Sequence, residues 1–186
     1  ELDEYPYTPG SLLALSLLTD MQGLPENVVD VMIRRWEYCD DVNHRLSLVR
    51  ALVRMGYPSA TDFLGEMLLN ENTDPAVTKF ISEVLGNSGP ESTEWFLKLW
   101  EQNQDFATAR VVFLALTRYP EMTEVREVLV ATAQSLTIDP MSRRFVLELL
   151  HKVYPEQTRL WFAEWLKTER HSGVRAFYNH FLNSYY

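Results

Sequence analysis

The side chains best suited to nucleophilic, acid–base or metal chemistry in this chain are one cysteine, Cys39, and four histidines, His44, His151, His171 and His180. Cys39, Asp40, Asp41 and His44 cluster in one short stretch, yet their spacing fits no standard metal geometry. They fall where a connection between two helices is expected, so a structural or solvent-facing role explains them more simply. Glu148 and His151 stand at i, i+3 and share a helix face, an arrangement able to move protons but equally an ordinary surface pair. The sequence has no Gly-rich phosphate loop, no Gly-x-Ser-x-Gly elbow and no His-Glu-x-x-His pair. A single thiol builds neither an internal disulfide framework nor a four-cysteine zinc site, and a lone cysteine commonly packs as a small hydrophobe. Catalysis is therefore not expected of this chain, and no cofactor or metal is implied.

Charge narrows the partners. Formal net charge is −9 and the isoelectric point is near 4.9, which opposes a general affinity for nucleic acid or anionic membrane, since phosphate binding needs a basic field. The apolar run Leu12–Leu18 is too short to span a bilayer and lacks the basic flank of a signal peptide, so no membrane span is expected. The compartment stays open. The first residue is Glu1 rather than methionine, which points to a processed chain or a piece of a longer one.

The elements that must position these side chains read as helices throughout. Residues 1–10 are acidic with two prolines and form an irregular arm; residues 11–186 are expected to form one repeat domain. Ser11 caps a first helix ending near Gly23. Val28, Val29, Met32, Ile33 and Trp36 then make a single helical stripe. Comparable stripes recur through Leu46–Val53, Phe63–Leu68, Val77–Leu85, Ala109–Leu116, Val125–Leu136, Phe145–Leu150 and Leu160–Leu166. Asp74-Pro75 and Asp139-Pro140 each offer an N-cap followed by proline at the first helical position. A last helix from about Ser172 carries Val174, Phe177, Tyr178, Phe181, Leu182 and Tyr185, with no partner after it, and is expected to cap the array.

Prolines at 25, 58, 90, 120 and 155 are spaced by 33, 32, 30 and 35 residues, and all but Pro58 are followed by glutamate. Proline suits the first turn of a new helix and glutamate there complements the helix dipole. A period of this length is that of a stacked helix hairpin.

With Asp74-Pro75, Leu85-Gly86, Pro90-Glu91, Asp139-Pro140, Pro155-Glu156 and the Val49-Arg50 pair, residues 11–170 or so resemble HEAT-like repeats. The resemblance implies an all-α, right-handed α-solenoid of antiparallel helix pairs, an α-α superhelix of about five pairs plus a terminal helix. Metal-dependent enzymes of this fold class use paired His-Glu dipeptides, and no histidine here precedes a glutamate. The family otherwise hosts scaffolds, nucleic-acid binders and a few enzymes.

Surface chemistry supplies the function expected of such an array. The five tryptophans, Trp36, Trp95, Trp100, Trp161 and Trp165, all fall on second helices of the pairs. Core packing is the simpler reading, and an aromatic groove for a peptide or helix the alternative. First helices lean basic (Arg45, Arg50, Arg54, Lys79, Arg110, Arg143, Arg144) and second helices lean acidic. Second helices line the concave side in the family, so the resemblance implies an acidic inner surface drawing a basic protein or peptide. The expected role is a non-catalytic protein–protein interaction scaffold contacting its partner through Glu91, Glu94, Lys98, Glu101, Glu124 and Glu127. Two alternatives belong to other classes: an accessory helical domain of a larger enzyme, and nucleic-acid binding through the basic first-helix face around Arg143 and Arg144, as in HEAT-like glycosylases.

Overall fold

The computed structural model describes residues 25–183. The expected arm, the helix from Ser11 and Tyr185 lie outside them. Among the described residues there are ten α-helices, one short 3-10 helix and no strand. Contacts divide the chain into two compact units, with the boundary between Trp95 and Phe96.

The N-terminal unit contains α1 (Asn27–Glu37), α2 (Val42–Met55), α3 (Pro58–Leu69) and α4 (Pro75–Leu85), and runs into α5 (Thr93–Gln102) through the 3-10 turn Pro90–Ser92. α2 and α4 start where the sequence supplies a side-chain partner for the free amides of the first turn. Asp41 accepts from the His44 amide at 2.8 Å, and Asp74 accepts from the Ala76 amide at 2.8 Å with Pro75 following it. α2 stops because Gly56 takes a left-handed conformation, φ 67°, open to glycine at little cost. Val29, Met32 and Trp36 of α1, then Leu48, Val49 and Leu52 of α2, Leu64 and Leu68 of α3, and Val77, Ile81 and Leu85 of α4 make the core. Removing each large side chain from water contributes about 1.5–3 kcal/mol. The Trp36 ring stands edge-on to Phe63, centroids 5.5 Å apart, with the Arg45 guanidinium 5.2 Å from its centre.

The C-terminal unit takes the remainder of α5 and continues with α6 (Phe106–Leu116), α7 (Thr123–Gln134), α8 (Pro140–Val153), α9 (Pro155–Trp165) and α10 (Ser172–Asn183). Asp105 and Asp139 cap α6 and α8, accepting from the Thr108 amide at 2.7 Å and the Met141 amide at 2.9 Å. Phe96 and Trp100 of α5 are buried, the latter edge-on to Phe113 at 4.9 Å. Phe162 of α9 is wholly buried and meets Tyr178 and Phe181 of α10 at centroid distances of 5.2 and 4.9 Å. The apolar stripe of α10 is thus spent on α8 and α9, against which the helix packs.

Helices packed together within a unit are neighbours or next-but-one in the chain. α2 meets α1, α3 and α4, α3 meets α1 and α4, and α8 meets α6, α7, α9 and α10.

The periodic prolines behave less uniformly than their spacing suggests. Pro58 and Pro155 occupy the first turn of α3 and α9. Pro90 instead opens the 3-10 turn, entered through Gly89 at φ 153°. Pro25 and Pro120 lie ahead of their helices, which begin at Asn27 and Thr123. At Pro120 the physical reason is visible: its carbonyl accepts the Tyr154 hydroxyl at 2.5 Å, a tertiary bond that takes the place of a helical one.

Candidate interaction surface

α5 carries three of the six expected contact residues. Glu94, Lys98 and Glu101 stand at i, i+4 and i+7, one face of a helix whose opposite side buries Phe96 and Trp100. Both glutamates are exposed and Lys98 is half-buried between them. Glutamate followed four residues later by lysine is the favourable order for a helix-surface pair, so Lys98 tempers the negative charge of this stripe without cancelling it. Glu91 is exposed on the 3-10 turn, with its carboxylate folded back over Gly89: a β-carbon there would stand 2.3 Å from Oε1. Glu124 and Glu127 are exposed in the first two turns of α7 at i, i+3, where carboxylates complement the helix dipole.

A groove opens beside Glu127. Arg126, Glu127, Val130, Ala131 and Gln134 lie on one face of α7, and Trp161 of α9 forms the facing wall of a space of about 300 Å³. Val125, Leu129 and Ala133, on the other side of α7, are fully buried, so core packing fixes which residues reach the groove. Trp161 is held in place by a stack on Trp165, centroids 5.8 Å apart and planes 11° apart. The edge of Tyr154 meets it at 6.3 Å. Burial raises the Tyr154 phenol above its usual pKa; the Arg126 charge lowers it and Glu121 raises it, which places both charges near that ring.

Trp36 and Trp100 are core, while Trp95, Trp161 and Trp165 are half-buried.

Of the basic first-helix residues, Arg50, Arg54, Lys79, Arg110 and Arg144 are exposed, and Arg143 is the exception. Arg143 is not on a surface: its side chain is 4% exposed and pairs with Glu169, itself 2% exposed, in the connection between α9 and α10. Nη2 binds Glu169 Oε2, Nη1 lies 3.4 Å from Oε1, and Nε donates to the Ala133 carbonyl at 3.2 Å. Glu169 also accepts from the His171 amide at 2.7 Å, and its backbone carbonyl accepts from Arg175 at 2.9 Å. Burial alone would raise the Glu169 pKa. The hydrogen bonds from Arg143 and His171, with the arginine charge, outweigh burial and hold it below the ordinary value. The Tyr178 hydroxyl is buried beside this pair without reaching a partner of ordinary hydrogen-bond geometry. Arg143 was legible as an exception, because 143, 146, 147 and 150 form one helical stripe whose other members are apolar.

Other cations are engaged too. Arg45 Nε donates to the Cys39 carbonyl at 2.6 Å, Arg50 lies 4.9 Å from the Phe80 ring centre, and Arg144 pairs with Glu148 at 3.3 Å. Cys39 is buried and its thiol points to the Asp41 carbonyl at 3.6 Å. His44 lies within α2 rather than in the preceding connection, buried with Nδ1 3.4 Å from Asp41. His151 stands edge-on to Phe181 at 4.1 Å and its Nδ1 is 3.4 Å from the Thr158 hydroxyl. Among the described residues no three His, Cys, Asp or Glu side chains are placed to share a metal ion. No helix there is long and apolar enough to cross a membrane.

No protein-family model matches the chain, and no curated protein matches it in sequence.

Proposed function

We propose that this protein is a HEAT-like α-solenoid acting as a non-catalytic scaffold, binding a partner protein through the second-helix surface. The observation that carries the reading is that Glu91, Glu94, Glu101, Glu124 and Glu127 are all exposed, while Arg143 of the basic set is buried against Glu169. Packing between helices one or two apart in the chain supports the repeat reading, because stacked hairpins bury their seam against immediate neighbours. The partner's matching surface is basic, and its association weakens as salt screens the field. Nucleic-acid binding through Arg143 loses its support, since a guanidinium sealed in the core offers nothing to a phosphate.

The test is crosslinking in cells with the wild-type chain and with a variant carrying Glu94→Lys, Glu101→Lys, Glu124→Lys and Glu127→Lys. The reading requires a protein partner captured by the wild type and lost from the reversed variant, with the melting curve unchanged. A partner captured equally by both refutes the surface assignment.

A further inference from the structure

We propose that the groove between α7 and α9 takes a lysine or arginine side chain from a basic segment of the partner, with Trp161 as its platform and Glu127 as its counter-charge. This rests on the acidic-surface reading and narrows it to one place. Three observations combine. The groove is amphipathic: Val130 and Ala131 give it an apolar floor suited to the methylene stem of a long cationic side chain. Its wall is an indole whose orientation is fixed by the Trp165 stack and the Tyr154 edge, so a cation entering there meets a preset aromatic surface without ordering it first. Charge favours a cation: Glu127 lines the groove beside Arg126, and just outside the lining Glu121 and Glu124 are also exposed, which leaves the stretch from 121 to 127 with three carboxylates against one guanidinium. Arg126 lies close enough to the Tyr154 phenol to lower its pKa, against the rise that burial and Glu121 give it. Gln134, at the opposite end of the lining, offers both a donor and an acceptor to a peptide backbone.

The probes are fluorescein-labelled octapeptides of alternating Arg-Ala, Lys-Ala and Glu-Ala, titrated at low ionic strength against the whole chain. Indole N–H resonances are followed in parallel. The Arg-Ala and Lys-Ala peptides are expected to bind and to shift the Trp161 indole, and the Glu-Ala peptide to do neither. Trp161→Leu should weaken Arg-Ala binding about tenfold and Trp161→Phe by less, the ordering a cation–ring contact gives. Glu127→Gln, an exposed change that leaves the core intact, should weaken it several-fold even if the Trp161 variants fold poorly. Basic peptides that bind with full affinity to Trp161→Leu and Glu127→Gln but weaken with Glu94→Gln and Glu101→Gln would sink the groove and leave the acidic surface standing. Equal binding of the Glu-Ala and Arg-Ala peptides would overturn both.

Discussion

The five-membered ring of Trp95 occupies the space a side chain on residue 65 would need. A β-carbon built on Gly65 would lie 2.0 Å from the indole Cδ2 and 2.3 Å from Cε2. Gly65 sits inside α3, where glycine costs about 1 kcal/mol relative to alanine in helix propensity. That cost is offset by the close approach of α3 to a large aromatic ring. Gly65→Ala is therefore expected to lower stability by about 1–3 kcal/mol, as overpacking does, despite the propensity gain. Adding Trp95→Leu should recover much of the loss, and urea titrations of the two single variants and the double variant would measure the coupling. Additive effects would mean the ring is not the obstacle.

Arg143 and Glu169 form a pair in which each charge depends on the other. Arg143→Met or Glu169→Leu alone leaves an uncompensated buried charge and should cost about 3–5 kcal/mol. The double change to Met and Leu removes both charges and should cost much less than the sum of the two. Chemical denaturation of the four proteins decides it.

Tyr178 gives a test of opposite sign. Its hydroxyl is buried and lacks a properly placed partner, and a phenol so enclosed resists ionisation, its pKa raised first by burial. Tyr178→Phe keeps the ring contacts with Phe162 and removes a desolvated oxygen. Stability is expected to rise by about 1 kcal/mol, read as a shift in denaturation midpoint without a change in slope. A loss of similar size would show that the hydroxyl does bond to Arg143.

Acid should weaken the fold in a particular order. Burial pushes the His151 imidazole below its ordinary 6.5. The unfolded chain therefore binds a proton first, and stability starts to fall once pH drops below that value. Glu169 is depressed from 4.5 by Arg143 and the His171 amide in spite of its burial. Its contribution is complete above 4.5 and is lost as pH falls through the lower folded value. Stability measured by urea titration at successive pH values should show both limbs. His151→Gln should flatten the first, and Glu169→Gln the second while lowering stability at neutral pH.

Much of the local structure was legible because it rests on contacts a few residues apart. Asp74-Pro75 and Asp139-Pro140 cap α4 and α8 as their spacing predicts, Gly56 ends α2, and the apolar stripes of α4 and α6 are the buried ones, whereas in α2 the buried side is Leu48, Val49, Ala51 and Leu52, with Leu46 and Val53 half-buried. The rest depended on partners distant in sequence. Pro120 stays outside α7 because its carbonyl binds Tyr154, thirty-four residues away. Nothing around Glu169, in a run of polar residues, marks it as the partner of Arg143. The groove at Trp161 likewise required the folded chain, since only folding sets α7 across from α9.

The clamp around Arg143 has a bearing on time as well as on strength. It draws Ala133 and Glu169, from two separate parts of the chain, to one guanidinium. Peeling α10 away would require two charges to part before water can reach either. A step of that kind raises the barrier to opening more than it changes the depth of the folded well. α10 should therefore resist slow proteolytic fraying for longer than its length would suggest.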